Sequence, residues 1–149
     1  MFVVVGVAGA MPCTAHAGQV DDIHESVFRW LFDNYDSTAR ARPPQVYFIS
    51  IAHNVDPSPG LLRRFVHHSP PIRAVSEATY HDDIGAVDNH TGERGVILNI
   101  AEIRWVSDVE VQVDDDFLVS SSGGGGYTHT LNLKGGKWVV TKVRGRYSV

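Results

Sequence analysis

The most constraining feature of this chain is the strict alternation of its C-terminal half. Val109, Val111 and Val113 alternate with Glu110, Gln112 and Asp114, the pattern of a strand with one buried and one solvated face. Gly95 to Val106 is a long strand candidate whose alternation changes phase near Ala101-Glu102, where a bulge is expected. Tyr127 to Lys134 is the next strand, with Leu131 and Leu133 on one face. Gly135-Gly136 suits a two-residue hairpin, and Trp138 to Val143 returns as a further strand that runs on towards Tyr147. A meander of this kind must bury its apolar face against something.

The N-terminal half supplies the cover. Asp21 or Asp22 with Glu25 forms a capping-box pattern, and Ile23, Val27, Trp30 and Leu31 recur at helical spacing. These residues predict a helix from about Asp22 to Asn34, and Pro43-Pro44 forbids its continuation. Val46 to Ile51 reads as a buried strand. Asp56-Pro57-Ser58-Pro59 opens a short helix carrying Leu61, Leu62 and Phe65. Ile72 to Tyr80 is predicted as a strand and His81 to Arg94 as a loop. Gly123 to Gly126 is expected to be a flexible connection. The expected fold is therefore α+β: an N-terminal helix packed on a curved, mainly antiparallel sheet of about five to six strands.

The 149 residues carry a formal charge of −4 with a pI of about 6.0. That length fits one domain, and that charge disfavours nucleic acid as a partner. Residues Met1 to Ala17 contain no charged side chain. The apolar run from Phe2 to Met11 has the length of a signal-peptide core and is too short to span a bilayer. Ala15-His16-Ala17 places small residues where a signal peptidase reads them, although no Lys or Arg precedes the run. The expected organisation is a signal peptide over 1–17 and one α+β domain over 18–149, periplasmic or secreted after cleavage near Ala17. Cys13, the chain's single cysteine, would leave with the leader, so no disulfide is expected. No transmembrane segment is expected.

The run Gly135-Gly136-Lys137-Trp138-Val139-Val140, entered from the alternating strand at Tyr127, resembles the closing hairpin of the NTF2-like and cystatin-like α+β rolls. The resemblance covers roughly Asp22 to the end. Tyr47-Phe48-Ile49-Ser50-Ile51, Asp56-Pro57-Ser58-Pro59 and Thr91-Gly92-Glu93-Arg94-Gly95 are also similar to small exported bacterial proteins of unknown function. Such rolls include isomerases, hydrolases, binding subunits and scaffolds, so the resemblance implies a fold and no single activity. The short, proline-flanked second helix departs from the two or three helices of the typical roll, which implies a pocket that is shallow or absent.

Isomerase-type chemistry in such a roll needs a carboxylate base and hydrogen-bond donors in an apolar pocket. Glu77 and His129 are the candidate acid/base residues, with Tyr47, Trp105 and Tyr127 as candidate ligand-binding walls. The bland alternative is that the aromatics are core and Glu77 faces water. Ser50, Ser76, His53, His129 and Glu77 supply the residue types of a triad, but no nucleophile elbow is present. His67-His68, His81-Asp82-Asp83 and His90 match no metal-site spacing, so no metal or cofactor is expected. Asp114-Asp115-Asp116 reads as an acidic strand end guarding an edge. Lys142, Arg144 and Arg146 read as a solvated basic stripe beside Tyr147. The leading expectation is a non-catalytic binding or interaction module for a small molecule or protein. A small pocket enzyme is the second reading, and a homodimer formed through the sheet is the third.

Overall fold

The computed structural model describes residues 13–35 and 44–149, with side chains from residue 18 onward. The expected leader lies outside the described residues up to Pro12. Helix α1 spans Cys13–Asn34, so it begins upstream of the expected start. The expected capping box is not formed, because Asp21, Asp22 and Glu25 lie within the helix, where they reach towards another element. Asp21 Oδ2 accepts from Ser58 Oγ at 3.0 Å, and Asp22 and Glu25 both accept from Arg64 Nη1 at 2.6 and 2.8 Å. These bonds fasten α1 to α2 (Pro59–Arg63), which Ser58 caps by accepting from Leu61 N at 3.0 Å.

Among the described residues the sheet has eight strands. They are β1 (Val46–Ile51), β2 (Ile72–Ala74), β3 (Ala78–His81), β4 (Gly85–Asp88), β5 (Arg94–Ser107), β6 (Glu110–Ser120), β7 (Gly123–Lys134) and β8 (Lys137–Ser148). The main order is β2-β1-β5-β6-β7-β8, with β1 parallel to both β2 and β5 and the β5–β8 meander antiparallel. The α+β class is as expected, with more strands. The bulge expected near Ala101-Glu102 is present as a register shift between Ile100 and Glu102.

Three expectations are corrected. The strand expected over Ile72 to Tyr80 is interrupted by a 3₁₀ turn at Val75–Glu77. That turn is held by side chains: Glu77 Oε2 accepts from Ala74 N at 3.1 Å, and Asp56 accepts from both Ser76 N and Ser76 Oγ. The loop expected over His81 to Arg94 contains β4, which pairs with β3 and with the start of β5. Gly123 to Gly126 is strand, not a flexible connection. A Cβ on Gly125 would lie 2.8 Å from the Phe117 ring and from Tyr147 O, so only glycine admits those neighbours.

The core fills the space between α1 and one face of the sheet. Ile23, Val27, Phe28 and Leu31 from α1 meet Val96, Leu98, Ile100, Val111, Val113 and Leu131. Strand β6 shows why: its burial alternates without a break from Val111 to Phe117. A smaller cluster of Val46, Phe48 and Ala86 lies on the opposite face, where the alternation of β1 sends its other side chains.

Candidate functional site

The outer face of the sheet, away from α1, carries a concave site built by strand register. Ser50 pairs with Asn99, Asn99 with Asp116, Asp116 with Gly126, and Gly126 with Tyr147. One transverse row therefore crosses β1, β5, β6, β7 and β8. Partners in register project to the same face, so the row collects a hydroxyl, an amide, a carboxylate and a phenol. Gly126 leaves the space that this requires. A Cβ there would lie 2.9 Å from Tyr147 Cε1 and 2.8 Å from Arg146 Nη2.

The row ends at an unusual turn. Ala52, His53 and Asn54 have φ of 46°, 59° and 65°, three consecutive non-glycine residues in the left-handed region. Each costs about 1–2 kcal/mol, less for asparagine. The turn is closed by Ile51 and Val55, which exchange backbone hydrogen bonds at 2.8 and 3.1 Å. It is then held by two buried residues of the row. Asn54 N donates to Ser50 Oγ at 2.9 Å, and His53 N donates to Asn99 Oδ1 at 3.0 Å. With its oxygen so assigned, Asn99 donates through Nδ2 to His53 Nδ1 at 3.2 Å. That bond selects the tautomer in which His53 Nε2–H points to solvent.

Ser50, His53, Asn54, Asn99, Asp116 and Tyr147, with Ile97, Phe117 and Leu118, line a cleft of about 340 Å³. Asp116 Oδ1 accepts from Tyr147 Oη at 2.6 Å and from Arg146 Nη2 at 2.9 Å. Burial, followed by that bond, pushes the Tyr147 phenol up to about 12. A second groove, of about 510 Å³, adjoins it at Phe117 and Tyr147.

Two predicted site residues meet on the inner face instead. His129 Nε2 pairs with Asp115 Oδ2, both side chains being 0% exposed. Asp115 Oδ1 also accepts from Tyr127 N at 3.0 Å, and Trp30 packs edge-on to the His129 ring at 4.8 Å. Burial pushes the Asp115 carboxyl up from its usual range, while the His129 partner draws it down. Tyr127 lies 6.1 Å from His129 by ring centroids and donates to Tyr35 O at 2.5 Å.

The other candidates lie apart. Tyr47 is core, donating to Phe32 O at 3.2 Å. Trp105 is half-exposed near the end of β5, edge-on to Trp138 at 5.7 Å. Glu77 caps its 3₁₀ turn and stands 3.8 Å from His90 Nε2. None of these candidates lines the 340 Å³ cleft. The triad ingredients Ser50 and His53 are neighbours there, but Ser50 Oγ is engaged by Asn54 N and His53 by Asn99. No group of three metal-ligating side chains occurs among the described residues, and no described helix is long and apolar enough to cross a membrane.

The aspartate run also needs correction: it lies within a central strand, not at a guarded edge. Asp114 pairs with Arg104 at 2.6 Å and Thr128 at 2.7 Å, Asp115 with His129, and Asp116 with Arg146. Arg146 is thus a structural partner, not a member of a solvated stripe. Sequence reasoning missed Asn54, Asn99, Asp116 and Tyr147 as one site. The only local signal was Asn54, whose residue type tolerates left-handed backbone. Compared with protein-family models, with curated proteins and with solved structures, the chain matches none.

Proposed function

We propose that this protein is a non-catalytic binding module that recognises a small molecule in the outer-face cleft. The observation that carries the reading is the left-handed turn at Ala52–Asn54, held at the cleft's mouth by Ser50 and Asn99. Backbone strain of this kind persists only where surrounding structure imposes it, and it concentrates at ligand clamps. The cleft volume lies in the range of small-molecule sites, about 300–1,000 Å³.

The pocket-enzyme reading has less support. His129 is sealed beneath Trp30, and Glu77 serves its own turn. A dimer through the open sheet face is also weakly supported. That face carries the Arg104–Asp114 and Arg146–Asp116 ion pairs instead of a continuous apolar patch. The likeness to an NTF2-like or cystatin-like roll is part of this proposal, supported by the long helix lying against the bulged β5–β8 meander. Export is proposed from sequence alone, through the Phe2–Met11 run and Ala15-His16-Ala17.

A fragment library screened against the ¹⁵N-labelled full chain tests the cleft. Binders are expected to shift the amide resonances of residues 50–54 and 116–118. Shifts confined to residues around His129 would contradict the assignment and favour the enclosed pocket enzyme.

A further inference from the structure

Three properties of the cleft constrain the ligand it takes. The first is charge balance. The Asp116 carboxylate already receives Arg146 and Tyr147 on Oδ1, and Arg146 Nη2 also donates to Asp115 O at 2.6 Å. The turn offers no anion cradle, because Ala52 N, His53 N and Asn54 N donate to Ile100 O, Asn99 Oδ1 and Ser50 Oγ. A charged ligand therefore meets neither an uncompensated counter-charge nor a ring of open backbone donors.

The second property is the character of the groups left over. His53 presents Nε2–H as a donor, the Asn54 amide both donates and accepts, and Asp116 Oδ2 accepts. These mixed groups suit ligand atoms that are themselves both donor and acceptor, as hydroxyls are. The third is the wall. Ile97 and Leu118 are apolar, and Tyr147 is an exposed residue whose ring has the Arg146 guanidinium 5.5 Å from its centroid, which leaves the opposite ring face to a ligand. An aromatic face beside polar groups accommodates a ligand with one C–H face and a hydroxylated rim.

Resting on the binding reading above, we propose that the cleft takes a neutral polyhydroxylated ring, that is, a mono- or disaccharide. Tyr147 carries the C–H face, while His53, Asn54 and Asp116 Oδ2 share the hydroxyls.

The test titrates glucose, galactose, N-acetylglucosamine and cellobiose into the ¹⁵N-labelled full chain, beside inorganic phosphate and putrescine. At least one saccharide is expected to shift residues 50–54 and 116–118 at millimolar concentration. Asn54→Gly keeps the left-handed backbone and removes the amide, so it should weaken that binding about tenfold. Tyr147→Leu keeps apolar bulk at a surface position and should weaken it similarly. If phosphate, putrescine or library fragments bind the cleft and no saccharide does, the saccharide inference falls while the binding site stands. If none of these compounds perturbs the cleft, both fall. Saccharide binding unchanged in both variants would also overturn the inference.

Discussion

Asp114, Asp115 and Asp116 are neighbours in one strand, yet they live in two different solvents. Asp115 points inward to a fully buried histidine. Asp114 and Asp116 point outward to arginines that remain 39% and 29% exposed. The chemistry of the three side chains is identical, so the difference is positional. Inside, a carboxylate without its partner has no water to turn to, and the pair holds because both members are present. Outside, water substitutes for a lost partner at little cost. The inner face thus supports the fold, and the outer face keeps its polar groups within reach of solvent.

His129→Leu tests this division with the largest effect. It leaves Asp115 buried without its partner and should cost about 3–5 kcal/mol in urea denaturation. Adding Asp115→Leu should recover most of that loss. A single-variant cost well below 1 kcal/mol would show that the inner face is wetter than described.

His24 sharpens the comparison through pH. Burial lowers its pKa from 6.5 to about 4. Below pH 6.5 the unfolded chain gains a proton that the folded chain refuses. Stability should therefore fall between pH 6.5 and 4, by about 3 kcal/mol at the end of that window. Urea midpoints across the window should lose this component in His24→Leu.

Gly126→Ala acts within the outer-face row. Its Cβ would meet Asp115 O at 2.5 Å and the Tyr147 ring at 2.9 Å, and overpacking of that kind costs about 1–3 kcal/mol. The thermal midpoint reports it, and the cleft resonances of Tyr147 should shift with it. The smallest effect belongs to the outer pair. Arg104→Ala should cost about 1 kcal/mol or less. Its partner Asp114 is held down to about 2, first by Arg104 and then by Thr128 against the cost of burial. The Asp114 contribution is present above its unfolded value of 3.8 and is lost as pH falls towards 2.

The meander was legible because its signal is local. Val111 and Val113 alternate with polar neighbours, and Gly135-Gly136 marks the turn between Lys134 and Lys137. The same period continues through the aspartates, and it turns Asp115 to the inner face in the structure, although the run read as an acidic strand end. Its polarity disguised this, since the partner His129 lies on another strand. Strand β4 was missed because its ladder comes from β3 and from the start of β5, and its flanks are polar. Gly123 to Gly126 looked flexible because a sequence does not display the Phe117 and Tyr147 atoms that crowd Gly125, nor the Asp115, Arg146 and Tyr147 atoms that crowd Gly126. The cleft was the least legible part. Ser50, Asn99, Asp116 and Tyr147 are distant in the chain and meet only through register across five strands.

Histidine accessibility separates the two faces in one experiment, because each carries one histidine of interest, His53 outside and His129 inside. The native full chain would be treated briefly with diethyl pyrocarbonate and the modified residues located by mass spectrometry. The account predicts that the exposed His53 ring is modified well before His129, because breaking its 3.2 Å bond with Asn99 lets the tautomers exchange and bring the lone pair to the solvent-facing Nε2, whereas His129 stays protected until the protein unfolds. Early modification of His129 with protection of His53 would contradict it, and would move the reactive site to the inner face.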